Sequence, residues 1–278
     1  MDDTITEIEN SLLQHGKYND RIYLMKLSRH DDIKNIIHEI EKLAELQKYS
    51  KVIAKVPEFA KDKFLKYDYA IEASIPGFYN GFENVYFMGK YFSVLKKFQE
   101  VKKVNEILNT ARSKDADNIK VELPTGFDYR FCDESDVGLM TDVYKHVFAT
   151  YPFPIHDSDY IFKTMNENVT YYSILEDDKI IALASAEMDA TAQNVEMTDF
   201  ATLPEYRGNG LAVYLLNWME DEMHKRDIKT SYTIARAVSY GINIIFAKSG
   251  YEYCGTLFNN TNISGDIESM NIWYKNLQ

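Results

Sequence analysis

Three carboxylates, an arginine and two glycines fall within one short stretch, residues 195–212, VEMTDFATLPEYRGNGLA. The stretch begins as an alternating strand, breaks at Pro204, turns through Gly208 and Gly210, and runs into the apolar, helix-forming LAVYLLNWMEDEM. A strand feeding a glycine-bearing turn that opens a helix leaves unpaired backbone N–H groups at a helix N-terminus, where the dipole also favours negative charge. Glycine at 208 and 210 lets the backbone approach a ligand closely or take positive φ. The chemistry predicted is the holding of a pyrophosphate, and so of a cofactor, by Arg207, Gly208, Asn209, Gly210, Leu211 and Ala212. Alone, RGNGLA could be any tight turn.

Strand alternation puts Glu196, Thr198, Phe200 and Thr202 on one sheet face and Met197 and Asp199 on the other, unless a bulge breaks the register. Leu211, Leu215, Trp218, Met219 and Met223 then give the helix a core-facing stripe, which is packing and not a cofactor box.

The elements that must position this stretch come from the second half of the chain. A strand at 129–132 precedes a helix capped by Ser135 or Asp136 that runs to about Ala149. The loop YPFPIHDSD, a short helix at 160–166, and a hairpin of strands 169–175 and 180–188 about EDDK follow. After the opening stretch come a strand at 230–237, the helix SYGINIIFAKSGY stopped by Gly250, and final strands at 253–258 and 269–274. In the first half, residues 1–20 read as a loose polar start in which His15 and Asp20 carry no motif. Strands at 21–27, 51–56, 69–75 and 85–92 then alternate with a helix from Asp31 and a short helix opened by Pro57, which favours an α/β unit. Residues 93–117 read as a solvated connecting helix, and the boundary falls near 121–127, giving an N-terminal domain of 1–122 and a second domain of 123–278.

Composition narrows the class. With 278 residues, 45% hydrophobic and 27% charged, the chain has the make-up of a globular protein with room for two modest cores. A net charge of −12 argues against general nucleic-acid binding and suits a cationic substrate. Cys132 and Cys254 are isolated, so neither a zinc site nor a disulfide framework is expected, and no metal is assigned. The acidic start is the wrong chemistry for a secretory signal, and no apolar run is long enough to span a bilayer, so a cytoplasmic protein without a membrane partner is expected.

The strand and helix order of the second half, with RGNGLA and the ending AKSGYEY, resembles the GNAT acetyltransferase superfamily over about residues 127–278. Arg207, Gly210 and Ala212 fall on that family's R/Q-x-x-G-x-G/A acetyl-CoA motif. The runs SLLQHGKYNDRIYLMKL, EMTDFATLPEYRGNGLA, YTIARAVSYGINIIFAKSGYEYCGTLFNNTNI and ESMNIWYK are further similar to β-lysine N6-acetyltransferases, through the N-terminal half as well. The fold class this implies is α/β (α+β): a GNAT fold with a mixed, mostly antiparallel sheet behind a smaller α/β domain. The first half, with KYDYAIEASIPGFYNGFENVYFMGKYF, faintly resembles the C-terminal half of a GNAT domain. A degenerate second GNAT-like unit is therefore one reading of it.

The resemblance implies acetyl-CoA as co-substrate and direct attack of an amine on its thioester. Another small amine, a protein lysine, or a non-catalytic acyl-CoA sensor stand as alternatives to β-lysine. Glu196 falls on the strand where GNATs often carry a glutamate base, with Asp199 as runner-up or substrate contact. Backbone groups near Phe200, Ala201 and Thr202 should pair with the pantetheine amides and receive the developing oxyanion. The family's usual acid tyrosine is replaced by Phe246 and its helix asparagine by Ser239, so Tyr240 or Tyr251 is the substitute acid, or none is needed because a thiolate leaves without help, and Asn243 one turn on is the substitute cofactor contact. Tyr151, Phe153 and His156 border the expected acceptor site, although three aromatics around two prolines could equally be a packed corner. Arg236 is a candidate partner for the substrate carboxylate. A homodimer is left open, since the sequence does not reveal the oligomeric state.

Overall fold

Ile33, Ile36, Ile37, Ile40 and Ala44 recur at helical spacing and all are buried, while the Asp32 side chain accepts from the Lys34 N–H and starts the helix. The same logic, periodicity plus a local cap, builds the rest of the chain. The computed structural model describes residues 3–93, 97–114 and 121–278, with the backbone alone at 97–100. The first half contains β1 (Thr4–Ile8), β2 (Ser11–Gly16), β3 (Arg21–Lys26), α1 (Ile33–Gln47), β4 (Lys51–Pro57), α2 (Lys61–Leu65), β5 (Ala70–Tyr79) and β6 (Glu83–Tyr91). α3 (Lys97–Arg112) leads to β7 (Asp128–Phe131), α4 (Val137–Val147), α5 (Ser158–Met165), β8 (Val169–Glu176), β9 (Lys179–Asp189) and β10 (Asn194–Thr202). The chain ends with α6 (Leu211–Lys225), β11 (Thr230–Arg236), α7 (Tyr240–Lys248), β12 (Glu252–Ile263) and β13 (Asp266–Asn276).

The pairing order occurs twice. In the second half β8, β9 and β10 are antiparallel, β10 runs parallel to β11 across α6, β11 pairs with β13, and β13 pairs with β12. In the first half β1, β2 and β3 are antiparallel, β3 runs parallel to β4 across α1, β4 pairs with β6, and β6 pairs with β5. Among the described residues, the first half shows no counterpart of β7, α4 and α5. The two sets meet where Gly255 of β12 pairs with Ala73 of β5, which makes one 13-stranded sheet.

Several expectations are corrected. Residues 4–16 form the hairpin β1–β2 and not a loose start, because Leu13 is buried and the Asp3 carboxylate ties down Tyr18 and Asn19. α3 is not a solvated connector: Val104, Ile107, Leu108 and Ala111 are buried, and Val104, Leu108 and Ala111 belong to the core of the second half. The expected continuation of that helix through 115–117 lies outside the described residues. Asp136, not Ser135, is the N-cap residue of α4, but its carboxylate makes no cap bond to that helix; it binds Arg130 at 2.5 and 2.7 Å and closes a capping box with Asp133 over the preceding turn. The last two strands run on to Ile263 and start at Asp266, so the Asn-rich stretch read as a connection is a long hairpin.

Candidate active site

Three residue pairs join β10 to β11: Asn194 with Thr230, Val195 with Ser231, and Glu196 with Tyr232. Beyond Glu196 the parallel strands part, while β10 keeps its pairing with β9 on the other side. One edge of β10 beyond Glu196 is thereby left without a strand partner among the described residues. A bulge between Thr198 and Ala201 accompanies the parting, with Asp199 at φ 55°. Aspartate tolerates that left-handed conformation better than most residues, and the extra residue re-aims its neighbours. Asp199 therefore turns onto the Glu196 side, which corrects the strict alternation, while Met197 stays in the core.

At the end of β10 the chain turns through Gly208 (φ 89°) and Gly210 (φ 74°), and Gly210 is the N-cap of α6. The first intrahelical bond runs from the Tyr214 N–H to the Gly210 carbonyl at 3.0 Å, so the amides of Leu211, Ala212 and Val213 have no acceptor within the helix. Arg207 is exposed and donates from Nε to the Thr202 carbonyl at 3.2 Å, and the Asn209 amide donates to the Tyr206 carbonyl at 2.9 Å. Both side chains brace the turn. The turn offers donors and no carboxylate between 207 and 212, which is the donor set an anionic diphosphate requires.

Beside the fork lies a cavity of about 240 Å³. Its walls in the second half include Tyr151, Phe153, Ser185, Glu187, Glu196, Asp199 and Tyr232; the first half contributes Arg21, Tyr23 and Lys55. Glu187 faces Glu196 directly across the β9–β10 pair. Burial, and then the Glu187 charge, push the Glu196 carboxyl up to about 8, against the opposing pull of Lys55 and the Tyr232 hydroxyl. Burial raises Glu187 as well, with Lys55 pulling the other way. Asp199 accepts from the Tyr151 hydroxyl and from Ser185 Oγ, each at 2.5 Å, yet burial still raises it. Three carboxyls in one small space make a site for ammonium groups, since a cation there restores their ionised forms.

Other expected residues lie elsewhere. Tyr240 is 46% exposed at the start of α7 and does not line the cavity. His156 is also outside the lining, and its Nε2 is buried without a partner. Arg236 is committed to Glu268 through two bonds of 2.9 and 2.6 Å and takes no part in the cavity. Asn243 is fully buried and saturated: Nδ2 donates to the carbonyls of Arg236 (2.9 Å) and Ser239 (2.6 Å), and Oδ1 accepts from Asn271 (2.8 Å) and Trp273 (2.9 Å). It ties α7 to the sheet and has no hydrogen-bonding capacity left for a cofactor. Phe246 is buried between Phe200 and Tyr251, with ring centroids at 5.7 and 4.8 Å, and the Tyr251 hydroxyl is paired with Ser231 Oγ at 2.6 Å. Arg21, Tyr23, Lys55 and Glu187 were not anticipated. The available signal was a polar face, Arg21 and Tyr23 in RIYLMK and Lys55 in KVIAKV, on otherwise apolar strands.

A parallel strand pair that opens beside a bulge and points at an amide-lined helix end is the architecture of the GNAT acyltransferases, and residues 140–250 match the acetyltransferase (GNAT) family. Across 98% of both chains, the protein is 42% identical to a β-lysine N(6)-acetyltransferase of Methanococcus maripaludis. It is 34% identical to the N-acetyltransferase YodP of Bacillus subtilis over 96% of each chain, and 34% identical to a β-lysine N(6)-acetyltransferase of Methanosarcina mazei over 86% of this chain and 95% of that one. The chain belongs to the GNAT acetyltransferases and, within them, to the full-length family that includes these β-lysine N(6)-acetyltransferases.

Proposed function

We propose that the protein transfers the acetyl group of acetyl-CoA to the N6 amine of β-lysine (3,6-diaminohexanoate), giving Nε-acetyl-β-lysine as a compatible solute in the cytoplasm. The observation that carries this reading is a cavity beside the strand fork that holds three carboxyls for ammonium groups together with two cations, Arg21 and Lys55. A substrate with two amines and one carboxylate matches that charge pattern.

Acetyl-CoA supplies an electrophilic thioester carbonyl when bound. The amides after Gly208 and the open edge of β10 at Phe200, Ala201 and Thr202 are the groups that would hold it. Glu196 is the proton acceptor. A lysine-type amine has pKa ~10.4, so an ordinary carboxylate would take its proton at a penalty of roughly 8 kcal/mol. With Glu196 near 8 the penalty falls to roughly 3 kcal/mol, which a 10–1,000 per second chemical step can absorb. Tyr151 and Ser185 hold Asp199 by its two oxygens, so Asp199 is fixed as a counter-charge and Glu196 is left to move the proton.

Purified protein with acetyl-CoA and a panel of β-lysine, α-lysine, spermidine and a lysine peptide tests the reading by thiol release and product mass. Preference for β-lysine is the expected outcome. Preference for another amine would overturn the substrate, and no thiol release with any amine would overturn the activity.

A further inference from the structure

Arg21 is an unusual residue to find in a sheet. It is 3% exposed, yet no carboxylate lies within ion-pairing distance of it among the described residues. Its Nη1 donates to the Asn260 carbonyl and, at 3.1 Å, to Thr261 Oγ1, both on β12 of the other half. Nη2 reaches Gln14 Oε1 only at 3.5 Å, and Nε is buried with no partner. Burial lowers its pKa from 12.5 to about 10, against smaller opposing pulls from Tyr23 and the more distant Asp3 carboxylate. A buried guanidinium held by neutral groups, with a donor unsatisfied, is costly to keep unless something else pairs with it.

The unsatisfied donors have a shape. Nε and Nη2 share one edge of the guanidinium, the edge that takes a carboxylate through two parallel bonds, and on it Nε has no partner and Nη2 only a 3.5 Å contact. Arg236 uses that edge on Glu268 in this molecule. Arg21 lines the same cavity as Glu196, Glu187 and Asp199. Lys55, the other cation of the cavity, pulls both Glu187 and Glu196 toward their ionised forms, whereas Arg21 makes no ion pair with either among the described residues.

Among the described residues the start of α1 offers no second cofactor site to explain such a residue. Where α6 begins with open amides after Gly210, α1 begins with the chain's own carboxylates. Asp32 caps the Lys34 N–H at 3.0 Å, and Asp31 accepts from Ser11 Oγ at 2.6 Å and from the Asn10 side chain at 2.7 Å. An anionic diphosphate is excluded there by charge.

We propose that Arg21 binds the carboxylate of the acceptor, so that the first half of the chain selects amino acids over plain polyamines. The proposal rests on the acetyltransferase reading above and adds to it the residue that makes the substrate class diamino-carboxylate. The Gln14 side chain, whose Nε2 donates to the Pro152 carbonyl at 3.0 Å, positions the guanidinium and links it to the loop that carries Tyr151 and Phe153.

The test compares β-lysine with pentane-1,4-diamine, the same diamine without the carboxylate, on wild type, Arg21→Met and Arg21→Lys. Wild type is expected to favour β-lysine by at least about 100-fold in kcat/KM. Arg21→Met should remove most of that preference, its loss on β-lysine exceeding its loss on the diamine by at least about tenfold. Arg21→Lys, which keeps the charge without the fork, should raise the KM for β-lysine while retaining most of kcat, and it serves if the Met variant does not fold. Equal use of both amines by wild type overturns the proposal, as does an equal loss on both amines in a folded variant. If wild type acetylates no amine, the acetyltransferase reading has failed separately, and calorimetric binding of β-lysine and the diamine to wild type and Arg21→Lys still decides the role of Arg21.

Discussion

Glu196 stands opposite Glu187 across two paired strands, an arrangement that two ionised carboxylates would oppose. The pair persists because burial and mutual repulsion keep Glu196 protonated until about pH 8. As a base it must be ionised, so wild-type kcat/KM should climb with pH through about 8. Glu196→Gln should lose roughly 100- to 10,000-fold in rate and lose that inflection; a retained inflection near the same pH would assign it to another group. Stability moves the opposite way. A carboxyl raised from 4.5 to about 8 in the folded state lends its stabilisation fully below 4.5 and loses it as pH rises through about 8. The variant cannot ionise, so relative to wild type it should gain about 4 kcal/mol between pH 5 and 8.5, read from chemical denaturation at both pH values. The residue types at 196 and 199 were legible in the sequence. Their meeting in one cavity was not, because period-two alternation separates them and only the bulge at Asp199 reunites them.

At the scale of elements, the site depends on α7 being fixed to β11 and β13, and Asn243 fixes it. The sequence marks Asn243 as a polar residue in an apolar helix, a pattern that fits a ligand contact as well as a buried clamp. Only the four partners decide between the two roles. Asn243→Leu should destabilise the fold by about 2–4 kcal/mol, since it leaves the buried Trp273 and Asn271 donors unpaired and removes two bonds that tie α7 to the end of β11. The KM for acetyl-CoA should stay within about twofold of wild type. A folded variant of normal stability with a raised KM would restore the cofactor role. α3 teaches the same lesson. Its spacing of Val104, Ile107, Leu108 and Ala111 predicts an amphipathic helix, but nothing local says which core receives its apolar stripe. Likewise FNNTNISGD reads as turn chemistry, and its pairing into β12 and β13 supplies the Asn260 and Thr261 partners of Arg21.

The whole molecule is organised around a joint between its two similar halves. One apolar cluster is shared across it: Ile53, Ile75, Phe78, Val85 and Phe87 pack with Tyr232, Leu257, Met270 and Ile272. Polar ties flank the cluster. Lys51 Nζ, buried with Glu72 at 2.6 Å, also donates to the Phe258 carbonyl at 2.8 Å, and the Thr230 hydroxyl donates to the Gly77 carbonyl at 2.9 Å. At the crossing point Gly255 has φ 145°, and a Cβ there would lie 2.1 Å from the Glu72 carbonyl oxygen and 2.7 Å from Ala73 Cα. Only glycine allows β5 and β12 to come this close. Gly255→Val must push the strands apart, and the expected loss is about 3 kcal/mol or more, seen as a lowered and broadened thermal transition. The proposed donor site, from the open edge of β10 to the start of α6, belongs to the second half, whereas the proposed acceptor cavity takes Arg21, Tyr23 and Lys55 from the first. A variant assayed below its transition should therefore show a larger rise in KM for the amine than for acetyl-CoA. Equal rises, or none, would mean that the joint holds the fold together without shaping the acceptor cavity.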